Sequence, residues 1–351
     1  MHRRGPHHLT RGAHVRTRRR RPRPLAFVAF VALALASVAL SPVVGAVVTS
    51  VGATNSSAPP PTAHLIHRPA SVLAPPAPVA PYVGFPLAGQ GQWHSAGRFV
   101  RGRAAVYTTT IRLPGAATTL AGLAWMDPAL LRARLYSGSL SPGGLFWKYT
   151  APVSHAAAKT LVAAFAGGFL LKQSHGGYLS EGHLVAPLRR GAASLVIYRN
   201  GSMTVGEWGR DVRMTPDVVA VRQNLTLLVD HGRAAAHLVP TDIATWGAAL
   251  NGVVNTPRSG IGVTSDGAMV YVTGPMTIVE LAQLLVRVGA VRAMTLDMNP
   301  WWPVFATYAP TSPTGYAAAS NGRDLLPTMI QTPARFFDPA YSRDFITMSA
   351  R

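Results

Sequence analysis

Apolar and polar positions alternate along residues 104–113 (AAVYTTTIRL), the period-two pattern of a half-buried strand, which Pro114-Gly115 would end. Residues 154–165 read instead as a helix. Ser154 supplies a cap, alanines carry Leu161, Val162 and Phe165 at helical spacing, and Gly167-Gly168 stops the run. Two strands, 194–199 and 202–208, flank Asn200-Gly201, a strong short-range hairpin signal. Thr215-Pro216-Asp217 resembles a helix start, although 218–229 reads equally as a strand, and 241–250 suggests a short helix. A second hairpin is expected from 260–264 and 268–273 around Ser265-Asp266-Gly267. Thr277 and Glu280 then form a capping-box pattern, followed by Ile278, Leu281, Ala282, Leu284, Leu285 and Val288 on one helix face and a stop at Gly289. A strand over 290–296 delivers Asp297 to its C-terminal end, where loops carry function on a rigid frame. Beyond Pro310, with Pro313, Pro327, Pro333 and Pro339, the chain reads as loop-rich. The fold class expected is α/β (mixed α+β): a mixed sheet with hairpins, flanked by helices.

The first 87 residues follow a different pattern. Leu25 to Val48 holds no charged side chain, and 24 residues at about 1.5 Å each span about 36 Å, enough for a bilayer core. Nine arginines and no acid precede it, which favours a cytoplasmic N-terminus and an extracytoplasmic remainder. A cleaved signal peptide is the alternative, with Val44-Gly45-Ala46 as a loose cleavage site. Nine prolines from Pro59 to Pro86 then predict an extended stalk or linker. The expected organisation is a basic tail (1–24), a transmembrane signal anchor (25–48), a linker (49–87) and one domain (88–351). The net charge of +20 in 351 residues, from 33 basic and 13 acidic side chains, is therefore partly topological, and no nucleic-acid partner is expected. Three lysines against 30 arginines suggest a bacterial source. With no cysteine and no metal-binding histidine spacing, no disulfide, metal or cofactor is expected.

The ordered stretches Thr256-Pro257-Arg258-Ser259-Gly260, Ser265-Asp266-Gly267, Gly274-Pro275-Met276-Thr277, Gly289-Ala290 and Leu296-Asp297 resemble the phosphodiester glycosidase family. Ala164-Phe165-Ala166-Gly167-Gly168-Phe169 resembles that family's small-residue turn, and Leu227 to Gly232 its strand and turn before the arginine motif. Two departures stand out. Ala166 replaces a usual Asn, and Met298-Asn299-Pro300-Trp301-Trp302 replaces a run of glycines and serine after the aspartate. Glycines let backbone N–H groups approach a phosphate closely, which Met298 and Pro300 cannot reproduce.

The resemblance implies hydrolysis of a sugar-1-phosphate diester or related cell-envelope glycan. Asp297 would do acid/base work, the alternative being a turn residue that bonds its own backbone. Arg258 would clamp phosphate, or else form a surface ion pair. Asp230 and His231 are candidates for a second titrating or substrate-binding group, but neighbours on a strand face opposite ways, so at most one joins a pocket. Glu181 is kept for its Gly-rich loop, and Glu280 reads as a cap. Gly167 and Gly168 would approach substrate, Trp301 and Trp302 would stack on a sugar ring, and Asn299 would bond its hydroxyls. A non-catalytic glycan-binding protein on the same scaffold is the competing expectation.

Overall fold

The computed structural model describes residues 71–84, 87–114, 119–144, 146–247 and 252–351. The basic tail, the apolar segment 25–48 and the first part of the linker lie outside the described residues. Among the described residues no helix is long and apolar enough to cross a membrane.

The domain is built from antiparallel β-sheet, not from an α/β arrangement with flanking helices. An eight-stranded sheet runs in the order His94–Val100, Arg103–Arg112, Leu120–Met126, Met269–Met276, Thr256–Thr264, Ala290–Met298, Leu227–Asp230 and Arg233–Ala234. A five-stranded sheet orders His183–Ala186, Tyr178–Ser180, Val218–Gln223, Ala193–Tyr198 and Met203–Glu207. The third sheet orders Gly322–Asp324, Phe305–Tyr308, Leu161–Ala166, Phe345–Ala350 and Leu131–Tyr136. Every neighbouring pair in the three sheets is antiparallel.

The expected helix over 154–165 is the main correction. Ser154 does cap a helix, accepting from the Ala157 N–H, but the helix holds only His155–Ala158. Leu161–Ala166 becomes a central strand, paired on both sides and buried at all six positions. A continuous apolar run satisfies a doubly covered strand as well as a buried helix, so tertiary pairing decides between them. Phe165 packs on Tyr271 of the eight-stranded sheet at 5.4 Å between ring centroids, and Tyr271 on Phe305 at 4.8 Å. This aromatic contact joins two sheets at their inner faces. The open choice over 218–229 resolves as two strands, and the 241–250 helix shortens to Ile243–Trp246.

Other local readings hold. Asn200-Gly201 turns between Ala193–Tyr198 and Met203–Glu207, with Gly201 at φ +80° and its N–H donating to the Tyr198 carbonyl at 2.7 Å. The helix Ile278–Arg287 has a complete capping box. Thr277 Oγ1 accepts from the Glu280 N–H at 3.2 Å, and Glu280 accepts from the Thr277 N–H at 2.7 Å. Its face of Ile278, Leu281, Ala282, Leu284 and Leu285 is fully buried with the outer side chains of the eight-stranded sheet, Val270 and Val272 among them. Each such leucine contributes about 1.5–3 kcal/mol by burial. The helix thereby fixes the strand that follows it, Ala290–Met298.

Part of the Pro-rich run also packs on the domain. The Leu73 N–H donates to Asp127 Oδ2 at 3.0 Å, the Val79 N–H to the Gly91 carbonyl at 2.9 Å, and Arg287 lies 4.3 Å over the Tyr82 ring.

Candidate active site

Strand ends from all three sheets meet at one place. Ala290–Met298 brings Asp297 as its penultimate residue. Leu161–Ala166 runs into Gly167-Gly168-Phe169, Val218–Gln223 contributes Arg222, and Arg343-Asp344 lead into Phe345–Ala350. The convergence depends on close backbone approach at the glycines. The Gly167 N–H donates to the Asp344 carbonyl at 2.9 Å, and a Cβ there would sit 2.3 Å from Asp344 Oδ2. Gly168 adopts φ +140°, a conformation side chains disfavour.

Two arginine–carboxylate pairs are buried side by side. Arg222 Nε donates to Asp344 Oδ2 at 2.7 Å, and the remainder of its guanidinium donates to the carbonyls of Gln223, at 2.6 Å, and Phe169. Arg343 donates to Asp297 Oδ2 and, at 2.7 Å, to the Gly168 carbonyl. Asn224 Nδ2 ties the neighbouring strand in, donating to the Leu296 carbonyl at 2.7 Å. Pairing of this kind is what allows charge to persist out of water.

Asp297 is 2% exposed. Burial pushes its carboxyl up to about 7, against the pull of Arg343 and of the Met298 N–H, which donates to Oδ1 at 2.8 Å; Asp344 adds to the rise and Arg222 opposes it. A carboxyl poised at that value exchanges a proton near neutral pH, which suits acid/base chemistry. A cleft of about 350 Å³ opens on it, with Asn299, Arg343, Lys172, Gln173 and His175 among its walls.

The other expected residues fall in different places. Asn299 is in the cleft, but its Oδ1 is occupied as a turn acceptor for the N–H groups of Trp301, at 2.8 Å, and Trp302, at 3.1 Å. Trp301 is exposed and does not line the cleft. Trp302 lies under Arg343, whose guanidinium carbon is 4.5 Å from its ring centroid, so its stacking partner is a cation of the protein. Arg258 is buried opposite Met298, and its guanidinium donates to the carbonyls of Met276, at 2.9 Å, and Val254, at 3.0 Å, and to Met298 Sδ at 3.1 Å. Burial lowers its pKa to about 10. It braces the strand that carries Asp297 and is absent from the cleft wall. Asp230 pairs with Arg210 at 2.9 Å and with exposed His231 at 3.1 Å, apart from the cleft lining. Glu181 accepts from the N–H groups of Lys148 and Tyr149, both at 2.9 Å, and lines a separate cavity.

Arg343, Asp344, Arg222, Lys172 and His175 are the residues that the sequence pattern did not reveal. A usable signal existed for the first two: an adjacent Arg-Asp pair directly before the strand-forming stretch Phe345-Ile346-Thr347-Met348 sits where a strand-end site would need charge. Among the described residues no group of three or more His, Asp or Glu side chains could hold a metal ion.

Residues 159–297 match the model of the phosphodiester glycosidase family. The matched span includes Gly167, Gly168 and Asp297 and stops before Arg343. Among solved structures, the zebrafish N-acetylglucosamine-1-phosphodiester alpha-N-acetylglucosaminidase catalytic domain, auto-inhibited by its pro-peptide, is similar at 14% identity and TM-score 0.45, covering 74% of this chain and 88% of that one. A hypothetical protein from Synechocystis is similar at 11% identity and TM-score 0.40, covering 72% of this chain and 63% of that one. A putative exported protein from Burkholderia pseudomallei follows at 11% identity and TM-score 0.33, covering 66% and 74%. No curated protein matches the sequence significantly.

Proposed function

We propose that the domain hydrolyses a sugar-1-phosphate diester at the cell envelope, with Asp297 as the general base. The observation that carries this reading is the buried carboxyl poised at about 7 beside Arg343, at the floor of a cleft walled by Lys172 and His175. Glycoside hydrolysis usually needs a second carboxyl as acid. The leaving group here is a phosphate monoester, whose second ionisation lies near pH 6, so it departs with little need of a proton. One base then suffices. Asp297 takes a proton from water, the water oxygen bonds to the anomeric carbon, and the anomeric C–O bond breaks with its electron pair on the phosphate oxygen. The proton returns to solvent or to the released phosphate. Arg343 and Lys172 offset the phosphate charge.

Residues 1–48 would carry the domain across the membrane, as an anchor or as a removed leader, toward an envelope glycan. A second reading, a glycan-binding protein without turnover, is favoured by one feature: Met298 is packed against Arg258 where a backbone-exposing glycine would suit phosphate. Incubation of the purified protein with sugar-1-phosphate diesters in water labelled with heavy oxygen separates the readings. Label in the released sugar supports glycosidic cleavage. Label in the phosphate, or binding with no release on any diester, would overturn it.

A further inference from the structure

The cleft continues beyond Asp297. Lys172 and His175 on its wall also line a cavity of about 520 Å³, and His175 and Arg189 line a third of about 390 Å³, to which Arg190 is added. The three spaces share His175 as a wall residue and make a run of neighbouring clefts. Its charge is one-sided: Arg343, Lys172, Arg189 and Arg190, with His175, stand against a single carboxylate, Asp297, which Arg343 already neutralises. No acidic side chain lines the two outer spaces. Lys172, Arg189 and Arg190 are exposed, and none is in an ion pair among the described residues.

Surface cations are often merely solvated, but the backbone at Arg189 is fixed to the strand that carries Arg222. Fully buried Gln223, next to Arg222, accepts from the N–H groups of Gly177, at 2.7 Å, and Arg189, at 2.8 Å, and donates to the Arg189 carbonyl at 3.1 Å. One side chain thus clamps the segment bearing Arg189 to the strand that ends at the active site. A row of cations leading away from a phosphodiester-cleaving centre presents a track for repeated negative charge.

The geometry points to an extended polyanionic substrate: a chain of phosphodiester-linked sugar or polyol units whose terminal sugar-1-phosphate lies at Asp297 and whose following phosphates lie along Arg189 and Arg190. This rests on the glycosidase reading of the site. The outer walls are apolar at Leu140, Pro142, Leu170 and Leu171 and hold no Phe, Tyr or Trp. Single-stranded nucleic acid is usually held by aromatic stacking as well as charge, so the charge track fits a polymer without bases.

Two diesters with the same sugar-1-phosphate head test this on the full chain, one capped by methyl and one extended by three glycerol phosphates. The extended diester should show a KM lower by about tenfold, a difference lost at high salt. An Arg189→Ala/Arg190→Ala double variant should raise KM for the extended diester alone and leave kcat and the methyl diester unchanged. In parallel, a fluorescent glycerol-phosphate hexamer should bind the wild type and lose most of that affinity in the double variant. Failure to cleave either diester while the hexamer still binds through the two arginines would remove the glycosidase reading and keep the charge track. Equal KM values for the two diesters, hexamer binding indifferent to the double variant, or equal binding of a single-stranded oligonucleotide of the same charge would overturn the proposal.

Discussion

Arg343 donates to the Asp297 carboxylate and, at 2.7 Å, to the carbonyl of Gly168, so one guanidinium fixes the candidate base against the glycine turn of another sheet. Its charge also holds the Asp297 pKa below the value that burial alone would impose. Removing that charge has a readable sign. Arg343→Ala should move the rising limb of the pH–activity profile, set near pH 7 by Asp297, to higher pH, and Arg343→Lys should restore part of the shift. Steady-state rates across pH 5 to about 9 measure it. A limb that stays in place in the alanine variant would show that another group sets it.

Gly167 is required by contact with Asp344. A Cβ would lie 2.3 Å from Asp344 Oδ2, which cannot swing away while Arg222 holds it at 2.7 Å. Gly167→Ala should therefore destabilise the domain by about 1–3 kcal/mol, the usual range for overpacking. Urea unfolding, read as a lower midpoint with unchanged slope, is the check.

Asp324 gives a separate test of burial. Its Oδ1 has no hydrogen-bond partner, and burial raises its pKa to about 7. A carboxyl whose pKa is raised in the folded state favours folding in its protonated form, so its contribution falls as pH climbs from about 4 to about 7 and stays low above. Asp324→Asn removes the penalty of the charged form. Its Tm relative to wild type should rise between pH 5 and pH 8, which thermal melts across that range will reveal; a pH-independent difference would contradict the assignment.

Glu280 is a cap and not a catalyst. Glu280→Ala should cost about 1 kcal/mol through loss of its bond to the Thr277 N–H. Activity of the folded variant should match the wild type in kcat, because Glu280 faces none of the cleft.

What could be read from the sequence was local. The Thr277–Glu280 capping box, the Asn200-Gly201 turn and the strand placing Asp297 near its end each depend on residues a few positions apart, where periodicity and turn chemistry operate. Leu161–Ala166 was not readable as a strand, because its alanines and apolar side chains satisfy a helix equally until Phe305–Tyr308 and Phe345–Ala350 pair with it. The site suffered most from distance. Arg343 meets Asp297 across 46 residues and Arg222 meets Asp344 across 122, and no local pattern encodes either meeting. Arg258, chosen by motif, proved to spend its donors on backbone carbonyls and Met298.

Asp297 is proposed as the base of a glycosyl–phosphate hydrolysis. Release of free sugar from a sugar-1-phosphate diester by the wild type and by Asp297→Asn, followed side by side over pH, tests it most directly. Wild-type turnover should rise through about pH 7, and the Asn variant should fold, still bind the diester and release no sugar above background. Undiminished release by Asp297→Asn would contradict it.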